Sequence, residues 1–277
     1  TLAVKIGGTW TAENLTGGAG LDSFTFGAAG TLSGNIVGAG NAADLIDISA
    51  VASADTINLQ AGTIDNGILG GTFATVESFT GEGVNDTLVG TDVATVWSIA
   101  TADDGTTDTG FIFTDIGNLT GGTSTDDFQF ADAGSVTGSI VGGGGTDTIT
   151  GDTDGNAFVV TGADTGTLAV KIGGTWTAEN LTGGAGTDTF QIDSGATLSG
   201  AIDGATGGTD SITQIDGTNA WAINTAGAGT VTDVTGGFSE IEALNGGSGA
   251  DGFTFANAGS ITGAITGGGG TDTITGD

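Results

Sequence analysis

Apolar and polar residues alternate along this chain in short bursts, and each burst ends at a cluster of glycines. Phe24 and Phe26, Phe128 and Phe130, and Phe253 and Phe255 are separated by single polar residues, a period of two. That period predicts β-strands with the aromatic side chains on one inward face. Trp97, Phe158 and Trp221 stand in similar alternating contexts and are expected in a core. The glycine clusters then mark corners, where positive backbone angles or the close approach of another segment excludes a side chain.

The bursts repeat. Residues 1–20 are identical to residues 167–186, and FQFADAGSVTGSIVGGGGTDTITGD at Phe128 returns at Phe253 as FTFANAGSITGAITGGGGTDTITGD. Aligning the Gly-Gly-x-Gly-x-Asp cores gives one class of aspartate at Asp22, Asp86, Asp126, Asp188 and Asp251, and a second at Asp44, Asp147, Asp210 and Asp272. Asp22 to Asp44 is 22 residues, Asp126 to Asp147 is 21, Asp188 to Asp210 is 22 and Asp251 to Asp272 is 21. The longer gaps, Asp44 to Asp86, Asp147 to Asp188 and Asp210 to Asp251, are 42, 41 and 41 residues, two such steps. A third class without the aspartate fills them: GTLAVKIGGTW at Gly166, its partial copy at Thr1, and AGTVTDVTGGF at Ala228.

A unit of about 21 residues cannot bury an apolar face alone, so stacking on its neighbours is the physical reason for repetition. The expected fold is therefore all-β, a parallel β-solenoid with right-handed crossovers. The whole of 1–277 reads as one continuous repeat region, cut from a longer array. About 13 coils at the strand spacing give a rod about 60 Å long. A β-sandwich or a string of Greek-key domains also yields short strands and turns, but such domains repeat near 100 residues and use proline, which is absent here.

Composition sharpens this picture. There are 58 glycines, but no Gly-x-y triplet and no proline, which excludes collagen, and charged residues make up only 13%, too few for a disordered chain. Two basic residues against 33 acids leave a net charge of −31, which opposes nucleic acid and anionic lipid and makes divalent cations the expected partners. No apolar run approaches the roughly 20 residues that span a bilayer, so no membrane insertion is expected. Long acidic arrays free of cysteine suit a secreted or cell-surface location.

GGAGLDSFT at Gly17, GGAGTDTFQ at Gly183, GGSGADGFT at Gly246 and the two GGGGTDTIT copies at Gly142 and Gly267 resemble the nonapeptide of haemolysin-type (RTX) calcium-binding repeats, and ENLTGGAGTDTF resembles phrases of giant repetitive bacterial adhesins. GEGVNDTLV at Gly81, GGTSTDDFQ at Gly121, AGNAADLID at Ala39 and ATGGTDSIT at Ala205 are degraded versions. The resemblance implies Ca2+ held by backbone carbonyls and aspartates, the oxygen-rich shell that calcium demands. Four pairs are expected as ion sites: Asp22 with Asp44, Asp126 with Asp147, Asp188 with Asp210, and Asp251 with Asp272. Stacked carboxylates at about 5 Å repel, and a divalent ion between them reverses the sign. Unlike the tandem nonapeptides of that family, only one falls in each coil. The competing reading is that each aspartate accepts backbone N–H bonds from its own glycine turn, with no metal.

Other features carry less. Trp10, Phe73, Trp176 and Phe238 follow a Gly-Gly in the third class and read as core or corner plugs rather than sugar-stacking rings. Thr146, Thr148, Thr187, Thr189, Thr230, Thr232, Thr271 and Thr273 are expected to point outward, a row that an ice- or glycan-binding surface could use, although Leu21, Ala43, Leu45, Ala250 and Gly252 interrupt it. With no His, Cys or Tyr, and with Lys5 and Lys171 at equivalent places in the repeat, no nucleophile and base are assembled, and catalysis is not expected. The sequence thus points to a stiff acidic rod for adhesion or an extracellular filament, self-associating end to end or laterally.

Overall fold

The structure, a computed structural model, describes residues 3–10, 14–40 and 43–276, with Thr9 and Trp10 described by their backbone only. Among the described residues there are strands and turns and no helix. The chain divides into two compact units, residues 1–126 with 133–145, and residues 127–132 with 146–277.

Each unit is built on parallel strands stacked in register. In the first, Phe24, Ile46, Phe79 and Phe113 are aligned partners on successive strands, and Ile57, Leu88, Leu119 and Ile140 form a second column. All eight are fully buried. In the second unit, one column runs Phe128, Ile149, Leu181, Ile202 and Phe238, and another runs Phe158, Phe190, Ile212, Leu244 and Ile265. The period-two pattern is what makes such columns: every second side chain enters the interior, and parallel pairing lays like on like. Phe158 stacks on Phe190 at 5.0 Å and Trp221 on Phe253 at 5.5 Å. Burying each such ring contributes about 1.5–3 kcal/mol. Trp176, Phe73 and Phe238 are buried, as expected of core plugs, whereas Trp10's side chain lies outside the described residues.

The step between stacked positions is not uniform. Phe128 to Ile149 is 21 residues, but Ile149 to Leu181 is 32; Phe158 to Phe190 is 32, then 22 to Ile212 and 32 to Leu244. The long steps correct the expectation of one 21-residue coil throughout. In the second unit the third class adds no parallel rung at 165–168 and 228–231, where it folds back as an antiparallel hairpin. Thr165–Leu168 pairs with Ala157–Gly162, and Ala228–Val231 with Ala220–Thr225. Asp164 (φ 50) and Gly227 (φ 64) occupy these hairpin turns, and Asp103 (φ 59) the turn of a like hairpin between Thr95–Thr101 and Asp104–Thr107, left-handed positions that aspartate and glycine accept with little strain.

One identical stretch takes two conformations. Ala3–Ile6 is a strand whose Val4 aligns with Phe24, the place that Phe158 takes on Phe190 in the second unit. The same four residues at 169–172 form the turn after Thr165–Leu168. Lys5 and Lys171, equivalent in sequence, therefore differ: Lys5 is exposed and Lys171 is buried.

Candidate functional site

Each Gly-Gly-x-Gly-x-Asp turn sends its aspartate inward beside the apolar column. In the second unit Asp188 Oδ1 accepts the backbone N–H of Asn156 at 2.7 Å, while the N–H of Asp188 donates to Asp210 Oδ1 at 2.7 Å and that of Asp210 to Glu242 Oε2 at 2.8 Å. Further along, Asn219 N–H donates to Asp251 Oδ1 at 2.8 Å and Asp251 N–H to Asp272 Oδ1 at 3.0 Å. Asp147 N–H donates to Glu179 Oε2 at 2.7 Å. The first unit repeats the arrangement: Asp22 N–H reaches Asp44 Oδ1 at 2.8 Å, Asp44 N–H reaches Glu77 Oε2 at 3.0 Å, Asp55 N–H reaches Asp86 Oδ1 at 3.0 Å, and Thr95 N–H reaches Asp126 Oδ1 at 3.1 Å. The result is a ladder in which each buried amide is capped by the carboxylate of the next rung. A charged acceptor strengthens such bonds.

The second carboxylate oxygen explains the glycines. A Cβ on Gly17, Gly38, Gly183 or Gly246 would lie within 2.4 Å of the Oδ2 of Asp22, Asp44, Asp188 or Asp251 respectively. No side chain fits there. The glycine that follows serves a different need, since Gly184 (φ 121), Gly247 (φ 95) and Gly268 (φ 91) are left-handed. In some turns Oδ2 accepts a local amide, from Gly122 to Asp126 at 2.8 Å and from Glu82 to Asp86 at 2.6 Å. For Asp44, Asp55, Asp188, Asp210 and Asp251, Oδ2 is buried with no hydrogen-bond partner among the described residues. Burial pushes the carboxyls of Asp86 and Asp210 up to about 6, and raises those of Asp55, Asp126 and Asp188, against the lowering effect of the hydrogen bonds they accept, from backbone amides and, at Asp55, from the side chains of Asn66 and Ser53.

Of the expected pairs, Asp22 with Asp44, Asp188 with Asp210 and Asp251 with Asp272 are brought together, each joined by an N–H···O bond from the first aspartate's backbone to the second's Oδ1. Asp126 and Asp147 belong to different units; Asp126 Oδ1 accepts the Thr95 N–H, and the Asp147 N–H donates to Glu179. Glu77, Glu179, Glu242, Asn156 and Asn219 complete the ladder and carried no site expectation from sequence. The recurrence of glutamate before Asn-Leu-Thr-Gly-Gly at Glu13 and Glu179 was the available signal.

A separate acidic cluster lies on the second unit. Carboxylate oxygens of Asp132, Asp152 and Asp154 approach within 4.8 Å of one another. The ammonium of Lys171 lies beside this cluster: it pairs with Asp152 and donates to the carbonyls of Asp132 at 2.8 Å and Ala131 at 3.3 Å. Bonds from the Thr153 hydroxyl and N–H, with Lys171 nearby, hold the Asp132 carboxyl below its ordinary value. No known family, curated protein or solved structure matches this chain, so the resemblance of its glycine-aspartate turns rests on those residues alone.

Proposed function

We propose that the chain is a β-solenoid segment with a structural and interaction role, a stiff acidic rod of a secreted or cell-surface bacterial protein that serves adhesion or an extracellular filament. The observation that carries this reading is the carboxylate ladder. Its acids are spent on holding one rung to the next, as befits a scaffold. Those with raised pKa values, Asp55, Asp86, Asp126, Asp188 and Asp210, are at most 1% exposed, so no substrate reaches them and a catalytic role gains no support. Calcium enters the proposal as a counter-ion of the exposed acids, screening a charge of −31, rather than as the ion that folds each turn.

Negative-stain microscopy and fibre diffraction test the reading: rods with a meridional spacing of about 4.8 Å are expected, and compact globules without it would refute the proposal. A second reading, a glycan- or ice-binding face, has an open groove of about 610 Å³ in its favour, lined by Thr230, Thr254, Thr271 and Thr273. It ranks lower because Trp221, the aromatic ring of that groove, is 1% exposed and offers no face to a sugar. Thermal hysteresis and glycan-array binding decide it.

A further inference from the structure

We infer that Asn66 is a site of covalent self-modification: its side-chain amide is lost to attack by the Gly67 nitrogen, and the carboxylate that replaces it comes to lie against the buried Asp55. The site belongs to the first unit and stands apart from the filament reading. Asparagine precedes glycine twice in this chain, at Asn66–Gly67 and at Asn245–Gly246. The fold treats the two pairs in opposite ways.

Asn66 (φ 57) and Gly67 (φ 77) are exposed, successive left-handed residues of a tight turn that the Ile68 N–H closes on the Asp65 carbonyl at 3.5 Å. The Gly67 N–H donates no hydrogen bond among the described residues, and a Cβ on Gly67 would meet nothing within 4 Å. The attacking nitrogen is thus neither held nor screened, and glycine lets the turn rearrange at little cost. Asn245, by contrast, ends a strand locked in parallel register between Thr213 and Thr266. The Gly246 N–H donates to the Thr266 carbonyl at 2.9 Å, and a Cβ on Gly246 would stand 2.4 Å from Asp251 Oδ2. That nitrogen is held in the sheet.

The step needs no reactant but water. The Gly67 nitrogen bonds to Asn66 Cγ and gives up its proton to solvent, while the Cγ–Nδ2 bond breaks and Nδ2 takes up a proton and leaves as ammonia. Water then opens the cyclic imide at either carbonyl, restoring the main chain with an aspartyl side chain or rerouting it through Cγ as an isoaspartyl link. Either product exchanges a neutral amide for a carboxylate. In the intact turn Asn66 Nδ2 donates to Asp55 Oδ1 at 3.0 Å and to the Ala54 carbonyl, whereas Asp55 Oδ2 is buried with no hydrogen-bond partner among the described residues. Modification therefore takes a donor from a buried acid and sets a like charge in its place. Asp55 is itself a rung of the ladder: its N–H donates to Asp86 Oδ1 at 3.0 Å and its carbonyl accepts the Thr87 N–H at 2.8 Å. The damage falls on the stack.

Ageing the whole chain in mildly alkaline buffer, followed by peptide mapping with isoaspartate-specific methylation, tests the site. In the folded chain Asn66 is expected to convert roughly tenfold faster than Asn245, and in urea the two should convert at similar rates. Conversion of Asn66 no faster than that of Asn245 in the folded chain would overturn the site. N66D reads the consequence directly. It is expected to speed hydrogen exchange of the Asp55 and Thr87 amides roughly tenfold, and to do so far less in a D55N background, where the like charge is gone. Exchange left unchanged by N66D, or accelerated equally with and without D55N, would overturn the coupling to Asp55.

Discussion

Replacing Asp210 by asparagine should stabilise this protein at neutral pH, against the usual cost of altering a buried hydrogen-bonded acid. The Asp210 carboxyl is fully buried, its Oδ1 accepts the Asp188 N–H, and its Oδ2 has no hydrogen-bond partner among the described residues. Burial raises it from 3.8 to about 6, assisted by the negative charges of Asp188, Glu242 and Asp203. The folded chain thus holds this proton more tightly than the unfolded chain does. The associated stability is intact below pH 3.8 and is lost as pH rises through about 6. The difference corresponds to about 3 kcal/mol, and about 1–3 kcal/mol is a fair expectation once screening is included. Asparagine keeps Oδ1 for the Asp188 amide and replaces Oδ2 with a donor. An acceptor stands ready, because a Cβ on Gly204 would lie 2.0 Å from the Glu240 carbonyl and 2.9 Å from Asp210 Oδ2. The chain has made this exchange elsewhere: Asn156 and Asn219, on the same ladder, donate Nδ2 to the carbonyls of Gly183 at 3.0 Å and Gly246 at 2.9 Å. D210N should therefore raise the urea midpoint at pH 7.5, change it little at pH 4, and slow hydrogen exchange of the Asp188 amide at pH 7.5. A lower midpoint and faster exchange at pH 7.5 would show that the charged carboxylate is itself in use, as a bound cation would require, and would refute the account.

Three further outcomes follow from the same geometry. G183A places a methyl 2.4 Å from Asp188 Oδ2 and 2.8 Å from the Gly204 carbonyl and should cost about 1–3 kcal/mol in urea unfolding, while G144A, whose nearest neighbour is 3.5 Å away, should be near neutral. K171M strands the buried Asp152 carboxylate and should lose about 3–5 kcal/mol, whereas K5M, at the identical but exposed place in the repeat, should stay within about 0.5 kcal/mol. Chelator-treated protein should show its full far-UV β spectrum, because the ladder amides are already capped; millimolar calcium should raise the melting temperature without creating structure, and a coil-like spectrum before calcium would contradict this.

Much of the architecture could be read from the residues, and its limits are instructive. Alternation around Phe24, Phe128 and Phe253 marked the strands, and the spacing of Asp188 to Asp210 placed those two side chains on successive rungs. The third class misled, because GTLAVKIGGTW has the length and alternation of a rung. What folds it back is a turn at Asp164, and left-handed backbone at a single aspartate leaves little trace in a pattern of apolar positions. The glutamates escaped notice for a related reason. Glu77, Glu179 and Glu242 lie nearly half a coil away from the aspartates they resemble in role, and their longer side chains reach the same amides from a different point in the repeat. Identical residues at 3–6 and 169–172 set the firmest limit, since no local rule assigns a strand to one and a turn to the other.

The carboxylate ladder has a polarity with a consequence for what can cap such an array. In every rung the amide belongs to the earlier segment and its acceptor to the later one, as with Asp188 and Asp210 or Asp251 and Asp272. Removing a downstream segment uncovers amide donors, and removing an upstream one uncovers carboxylates; the same bond is lost either way, but the faces left behind differ in chemistry. A face of bare N–H groups attracts acidic groups and a face of bare carboxylates attracts cations, so what could cap the stack at one face is the opposite of what could cap it at the other.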